Sequence, residues 1–378
     1  MGTIRAMEPF ELKSERVLLS MPVRADIDRI TELCQDPAIQ DGTTVPSPYT
    51  RADAETFVNT VVAGGWANAT SLIWAIREPL TGRLDGTIGV TLTGDGLGEI
   101  GFWTDPKARG RGLTSHAVRL VAERVLNHHS LGLTHLVWWA YVGNWASRRV
   151  AWATGFRHEG LVRGGQPQRG KRRDAWVATL CAGDPMTPAS RWLDAPVIRG
   201  ERVTLRPLED TDAGAVAEAC SDPQTQYWLS GLPSPYTIDD AVNFIHSTRE
   251  DAASGRIVHW AAVRPEGGPS IGTFGLRLFG HRNDQGSIGY HVHPSARGRG
   301  IASEATQMVI RHAFLPTEDG GLGLRRLIIE HAEGNEGSRK VIERAGFRYI
   351  GAQRADLMRS DGSTADHHRY DLLPTDLA

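Results

Sequence analysis

Two short runs carry the clearest chemical potential in the chain. Arg109-Gly110-Arg111-Gly112 is followed by Leu113-Thr114, and Arg297-Gly298-Arg299-Gly300 by Ile301-Ala302. Each run lies between a strand-like segment (99–104 or 287–292) and a helix-like one (115–126 or 303–314). A helix N-terminus presents N–H groups without intrahelical partners at the positive end of the helix dipole, and phosphate binds there readily. Glycine lets the backbone adopt positive φ and approach an anion closely, and flanking arginines add charge-assisted hydrogen bonds. The chemistry indicated is phosphate binding. Neither run reads GxxxxGK[ST], as for a nucleoside triphosphate, nor GxGxxG, as for a dinucleotide. A single run would be equally compatible with an arginine-rich surface turn; two at equivalent positions favour the anion site.

The elements that must position these loops occur twice. Glu15-Arg16-Val17 is answered by Glu201-Arg202-Val203, Asp36-Pro37 by Asp222-Pro223, and Pro46-Ser47-Pro48-Tyr49-Thr50 by Pro233-Ser234-Pro235-Tyr236-Thr237. Ile100-Gly101-Phe102 returns as Ile288-Gly289-Tyr290, and Gly155-Phe156 as Gly346-Phe347. The offset drifts by only a few residues along the chain, which loop-length changes explain, so a whole domain is duplicated. The segment 182–196 holds Pro185, Pro188 and Pro196 with Gly183 and Asp184, and reads as a linker.

Within a copy, a strand is expected at 17–19 or 203–205, then a helix at 25–34 or 212–220. Proline excludes helix inside the Pro-Ser-Pro-Tyr-Thr run, and Thr50 and Thr237 stand where the N-cap of the next helix belongs. Strands follow at 72–77, 87–92 and 99–104, with equivalents at 258–264, 271–278 and 287–292. After the loop and its helix come a strand (136–141 or 326–331), a helix beginning after Asn144 or Asn335 and ending at Gly155 or Gly346, and a last strand (176–180 or 368–372). The class is α/β with a mixed sheet.

Composition narrows the functions. The chain has 378 residues, 40% hydrophobic and 23% charged, with a formal net charge of −2. Such a balance gives no global attraction to nucleic acid or an anionic membrane, so any anion site is local. Cys34, Cys181 and Cys220 form no CxxC pair, and neither a disulfide framework nor a zinc site is indicated. His128-His129 and His367-His368 lack the i, i+4 spacing of a helical zinc site. Residues 1–10 contain no long apolar run and no stretch approaches the length of a membrane span, so the expected location is cytoplasmic.

Taken together, these residues resemble the GNAT acetyltransferase superfamily, whose coenzyme A loop reads Arg/Gln-x-x-Gly-x-Gly/Ala. Copy two matches with Arg297, Gly300 and Ala302; copy one has Arg109 and Gly112 but Thr114 last, where a β-branch would crowd the pyrophosphate. Asn144-Trp145-Ala146-Ser147 and Asn335-Glu336-Gly337-Ser338 resemble the Asn-x-x-Ser of the Rim-type branch, which acetylates ribosomal-protein N-termini. The resemblance implies two tandem acetyltransferase domains, 1–182 and 197–378, joined by a 183–196 linker. It also implies acetyl-CoA as co-substrate without a metal, and direct attack of a neutral amine on the thioester. The cofactor loops are then Arg109, Gly110, Arg111, Gly112 and Thr114, and Arg297, Gly298, Arg299, Gly300 and Ala302. Backbone around Thr104 or Val292 and the side chain of Asn144 or Asn335 are implied to hold the pantetheine arm, with Ser147 or Ser338 by the sulfur.

Such chemistry needs a base. Glu99 begins the strand before the first loop, near where many members carry a catalytic Glu. Ser287 replaces it in copy two, where His291 and His293 are the titratable neighbours, although each reads more simply as a packed or solvent-facing side chain. Copy two thus has the better loop and copy one the better base, which motivates inequivalent copies. Trp103, Trp138, Trp139, Trp145 and Trp152 either shape an acceptor pocket or pack the core, and Tyr49 and Tyr236 either face the acceptor or mark a structural hinge. The acceptor is a peptide N-terminus or a small-molecule amine, including an amine antibiotic. A coenzyme A sensor or scaffold with degenerate sites is the reading from another class. The chain is expected to be a monomer with an internal pseudo-dimer, or a homodimer, that binds neither nucleic acid nor membrane.

Overall fold

The structure, a computed structural model, describes residues 7–128 and 131–377; His129 and residues 1–6 lie outside the described residues. The chain divides into two compact units that part between Ala189 and Ser190. The proline-rich segment packs rather than hangs free. Met186 accepts a hydrogen bond from Arg119 in the first unit, and Leu193 is buried in the core of the second.

The first unit runs β1 (Leu12–Lys13), β2 (Leu18–Ser20), α1 (Ile27–Leu33), α2 (Pro37–Gly42) and α3 (Arg51–Thr56). A π-helical stretch (Phe57–Val62), α4 (Ala63–Asn68), β3 (Ser71–Arg77), β4 (Leu84–Gly94) and β5 (Leu97–Thr104) follow. The unit ends with α5 (Leu113–Leu126), β6 (His135–Tyr141), α6 (Trp145–Ala153), β7 (Arg157–Gln168) and β8 (Lys171–Cys181). Its sheet has the order β1-β2-β3-β4-β5-β6-β8-β7, in which only β5 and β6 pair in parallel.

The second unit repeats this with β9 (Ile198–Arg199), β10 (Thr204–Arg206), α7 (Ala213–Ser221), α8 (Pro223–Trp228), α9 (Ile238–Ala253), β11 (Ile257–Val263), β12 (Gly272–Phe279) and β13 (Gln285–Val292). Then come α10 (Ile301–Phe314), β14 (Arg326–Ala332), α11 (Glu336–Arg344), β15 (Arg348–Met358) and β16 (Thr364–Leu372), with β13 and β14 the parallel pair. The mixed α/β class expected from the sequence is the class found.

Each sheet is covered on both faces. Ala117, Val121 and Val125 of α5 pack with Ile88, Val90, Ile100 and Trp138 in one core, whereas Ile30 and Leu33 of α1, Ala54 and Val58 join Ala75 and Leu84 on the other side. Alternation along the strands produces this division. Helix starts follow local chemistry: Thr50 and Asp53, and again Thr237 and Asp240, form reciprocal capping boxes. The first strand of each closing hairpin, β7 and β15, was not expected; Gly160, Gly164, Gly165 and Pro167 break the apolar alternation of β7, and both strands are largely exposed.

One buried ion pair recurs with its cation moved. Asp26, at the foot of α1, is held by Arg77 of β3 through two bonds of 2.7 and 2.8 Å; Asp212, at the foot of α7, is held by Arg206 of β10 through two bonds of 2.7 and 2.8 Å. Neighbouring strands therefore supply the same guanidinium. Asp212 is fully buried and also accepts the Glu209 and Ser270 N–H groups. Removing it leaves a charge and two donors unpaired, so Asp212→Ala is expected to cost about 3–5 kcal/mol in urea unfolding.

Candidate functional site

The register of the parallel pair creates the site. β5 and β6 pair from Leu97↔His135 to Ile100↔Trp138 and no further, although β5 continues to Thr104 and β6 to Tyr141. β13 and β14 likewise pair only from Gln285↔Arg326 to Ile288↔Ile329. Beyond these points the strands splay, and the facing edge of residues 101–104, or 289–292, has no neighbouring strand to take its backbone hydrogen bonds. Because the splayed strands are parallel, both C-termini reach one end of the sheet: β5 leads into the Arg-Gly-Arg-Gly loop and α5, and β6 into Asn144 and α6. A crevice at the carboxyl ends of diverging parallel strands is where α/β proteins bind ligands.

The loop glycines are required by conformation. Gly110, Gly112, Gly298 and Gly300 have φ of +74°, +73°, +74° and +78°, and Gly112 and Gly300 are the residues from which α5 and α10 start. A left-handed start without a capping side chain leaves the first-turn N–H groups free for a ligand. Arg111 and Arg299 are exposed beside them.

Arg109 and Arg297 share one pattern of contacts. Arg109 Nε donates to the Thr104 carbonyl (3.3 Å) and Nη2 to Asp36 (2.6 Å); Arg297 makes the corresponding bonds to Val292 (3.2 Å) and Asp222 (2.7 Å). Their side chains are directed at the strand end and at an acidic helix cap. Burial pushes the Asp222 carboxyl up, but the hydrogen bonds from Arg297 and from the Thr225 N–H outweigh it and hold the group below the usual carboxylate range. The Thr114 hydroxyl lies 2.7 Å from Thr104 Oγ1 and ties the start of α5 to the end of β5. Val292 and Ala302 stand at the equivalent positions in the second unit, so no hydroxyl pair can form there.

Across the crevice, Asn144 and Asn335 are N-caps. Their Oδ1 atoms accept the N–H groups of Ser147 (3.2 Å) and Ser338 (3.1 Å), and each Nδ2 remains as the donor for any ligand. In the first unit that amide reaches the Gly42 carbonyl at 3.5 Å. Trp138 Nε1 donates to Ser147 Oγ at 3.0 Å, and since an indole N–H only donates, the serine keeps its own proton for a further acceptor. In the second unit the Tyr290 hydroxyl, 3.1 Å from Ser338 Oγ, takes this place.

Glu99, Gly101 and Trp103 share the face of β5 opposite α5, with nothing within 4 Å of where a Gly101 side chain would begin. Glu99 is half-buried, and desolvation alone pushes its carboxyl above the usual range. The second unit has no counterpart. Ser287 faces Arg277 in the strand register, and burial holds the His291 imidazole down at about 4, with Nε2 3.9 Å from Cys220 Sγ. His293 Nδ1 takes the Ser295 N–H at 3.2 Å and caps the turn. Both histidines are packed, as their simpler reading held.

Other aromatic candidates pack inside the fold. Tyr49 and Tyr236 are buried against Cys34 and Cys220, and burial pushes those thiols up to about 12 and about 11. Trp138 is core, and Trp145 packs on Trp176 with ring centroids 4.6 Å apart. Asp36, Asp222, Trp138 and Tyr290 were missed as partners of site residues; only Asp36-Pro37 and Asp222-Pro223, an N-cap before an N1 proline, carried a local signal. Among the described residues no cluster of three or more His, Cys, Asp or Glu side chains could hold a metal, and no helix is long and apolar enough to cross a membrane.

A glycine loop at a helix start beside diverging parallel strands is the architecture of an anion-binding α/β site. The family model described as acetyltransferase (GNAT) domain matches residues 16–157 and again 202–348, and the chain belongs to that family, once per unit. An uncharacterized N-acetyltransferase of Bacillus subtilis, YoaA, is 27% identical over 179 residues, 47% of this chain and 97% of that protein. The uncharacterized N-acetyltransferase p20 of Bacillus licheniformis is also 27% identical over 179 residues, 47% of this chain and 96% of its own length. Among solved structures, Mycobacterium smegmatis RimJ in complex with CoA-disulfide is similar with a TM-score of 0.41 and 24% identity, covering 46% of this chain and 83% of that one.

Proposed function

We propose that both units bind acetyl-CoA in the splayed crevice and that the first unit transfers the acetyl group to a primary amine, on a peptide N-terminus or a small molecule. The observation that carries this reading is the parting of β5 from β6 after Ile100 above a left-handed glycine loop, which offers a backbone edge for a pantetheine arm and free N–H groups for a pyrophosphate. The arm is held by the strand edge and by Nδ2 of Asn144 or Asn335, and the phosphates by the loop. In the first unit the amine enters over Gly101. Glu99 takes its proton, and Ser147, already an acceptor from Trp138, gives a proton to the departing thiolate. The raised carboxyl of Glu99 suits a base that must accept a proton near neutral pH. The second unit supports binding without this base.

Thiol release from acetyl-CoA, followed with a panel of peptides and small amines, tests the reading. Release that depends on acceptor and falls at least tenfold in Ser147→Ala is expected. Tight acetyl-CoA binding with no acceptor-dependent release from any amine would favour a sensor or scaffold.

A further inference from the structure

The arginine that opens each phosphate loop makes the same pair of contacts in both units, to partners remote in sequence. Arg109 bridges the last carbonyl of β5 and Asp36, 73 residues away; Arg297 bridges the last carbonyl of β13 and Asp222, 75 residues away, and adds Thr225 Oγ1 at 2.7 Å and Gln224 Oε1 at 2.8 Å. The acceptor is in each case the N-cap of a short helix. Asp36 accepts the Ile39 N–H at 3.0 Å and Asp222 the Thr225 N–H at 2.9 Å. One guanidinium thereby ties three things together: the point where the strand ends, the loop that follows, and the start of α2 or α8.

We propose that Arg109 and Arg297 are positioning residues, latches that fix each phosphate loop against a helix cap so that its N–H groups stand ready before the phosphate arrives. This rests on the acetyl-CoA reading given above. Two forks of the guanidinium are committed, one to a carbonyl and one to a carboxylate, and a phosphate would have to compete with Asp36 or Asp222 for the second. Preorganised donors bind an anion without the cost of ordering the loop. The Asp36 and Arg109 side chains keep 21% and 39% of their exposure, and a pair so accessible contributes little to global stability. Its consequence is local order, which separates the latch from a fold-holding salt bridge such as Arg206 with Asp212.

The test uses the full chain with Gly300→Glu closing the other loop, and compares Asp36→Asn, Arg109→Met and their combination. Asparagine retains the helix cap, so the change removes the latch and spares α2. Each single variant is expected to weaken acetyl-CoA binding by about tenfold, and the double variant to be no weaker than either, because residues acting through one contact are not additive. Arg109→Lys, which cannot span both acceptors, should recover only part of the loss. In the ligand-free protein, amide exchange at 110–113 and at 39–42 should rise together in either single variant. Asp36→Asn that leaves affinity unchanged or tighter, while Arg109→Met weakens it, would make the arginine a phosphate ligand and overturn the latch. A parent chain that binds no acetyl-CoA would instead defeat the acetyl-transfer reading; the exchange data then decide alone, coupled changes supporting the latch and independent ones overturning it.

Discussion

Glu99→Gln is expected to lower acetyl transfer by about a hundredfold or more, the range of a lost general base, while making the protein more stable near neutral pH. The two effects have one cause. Desolvation disfavours the charged carboxylate in the folded protein, so its pKa lies above the unfolded value. The folded state therefore binds more protons than the unfolded one between those two values. Stability is greatest below the unfolded pKa and declines as pH rises through the folded one. Glutamine carries no charge to desolvate, so the variant's advantage grows across that window and is constant above it. Activity moves the opposite way: kcat/KM of the parent rises with pH as Glu99 ionises, and the variant loses that limb. Thermal unfolding at several pH values, read beside the pH–rate profile, checks both signs. A variant that keeps the acidic limb would remove Glu99 from the role of base.

Gly112→Glu and Gly300→Glu are expected to weaken acetyl-CoA binding at their own unit by more than a hundredfold. A non-glycine residue at φ near +75° costs on the order of 1–2 kcal/mol, and the new carboxylate stands among the N–H groups meant for a phosphate. At Gly300 a side chain also begins 2.9 Å from Arg202 Nη1. Gly112→Ala and Gly300→Ala separate the terms, with about tenfold from the backbone alone. Turnover should disappear with Gly112→Glu and survive Gly300→Glu, because only the first unit carries the carboxylate. Equal partial losses from the two variants would mean that both units turn over, contrary to the proposal.

How much of this was legible depended on whether the cause was local. The capping boxes at Thr50 and Thr237 and the loop glycines are set by residues within four positions of one another, and the sequence expresses them directly. Duplication supplied the rest of the architecture, because an ambiguous element in one copy had a clearer partner in the other. β7 escaped because glycines and a proline replace the alternation that marks a half-buried strand. The latches escaped for a different reason: nothing near Arg109 names Asp36 as its partner, and only the fold brings them together. Tyr49 illustrates a position whose surroundings in sequence do not settle its burial. The sequence leaves it between facing an acceptor and marking a hinge; Pro46, Ser47, Pro48 and Thr50 around it are exposed, while its ring alone turns in and is buried with Cys34. The end of the β5–β6 pairing at Ile100, on which the binding account depends, has no signature in residue type at all.

Calorimetric titration of acetyl-CoA into the intact chain tests the central claim most directly. Two sites per chain are predicted, one lost in Gly112→Glu and the other in Gly300→Glu; a single site, or none, would contradict the assignment of a working carrier crevice to each unit.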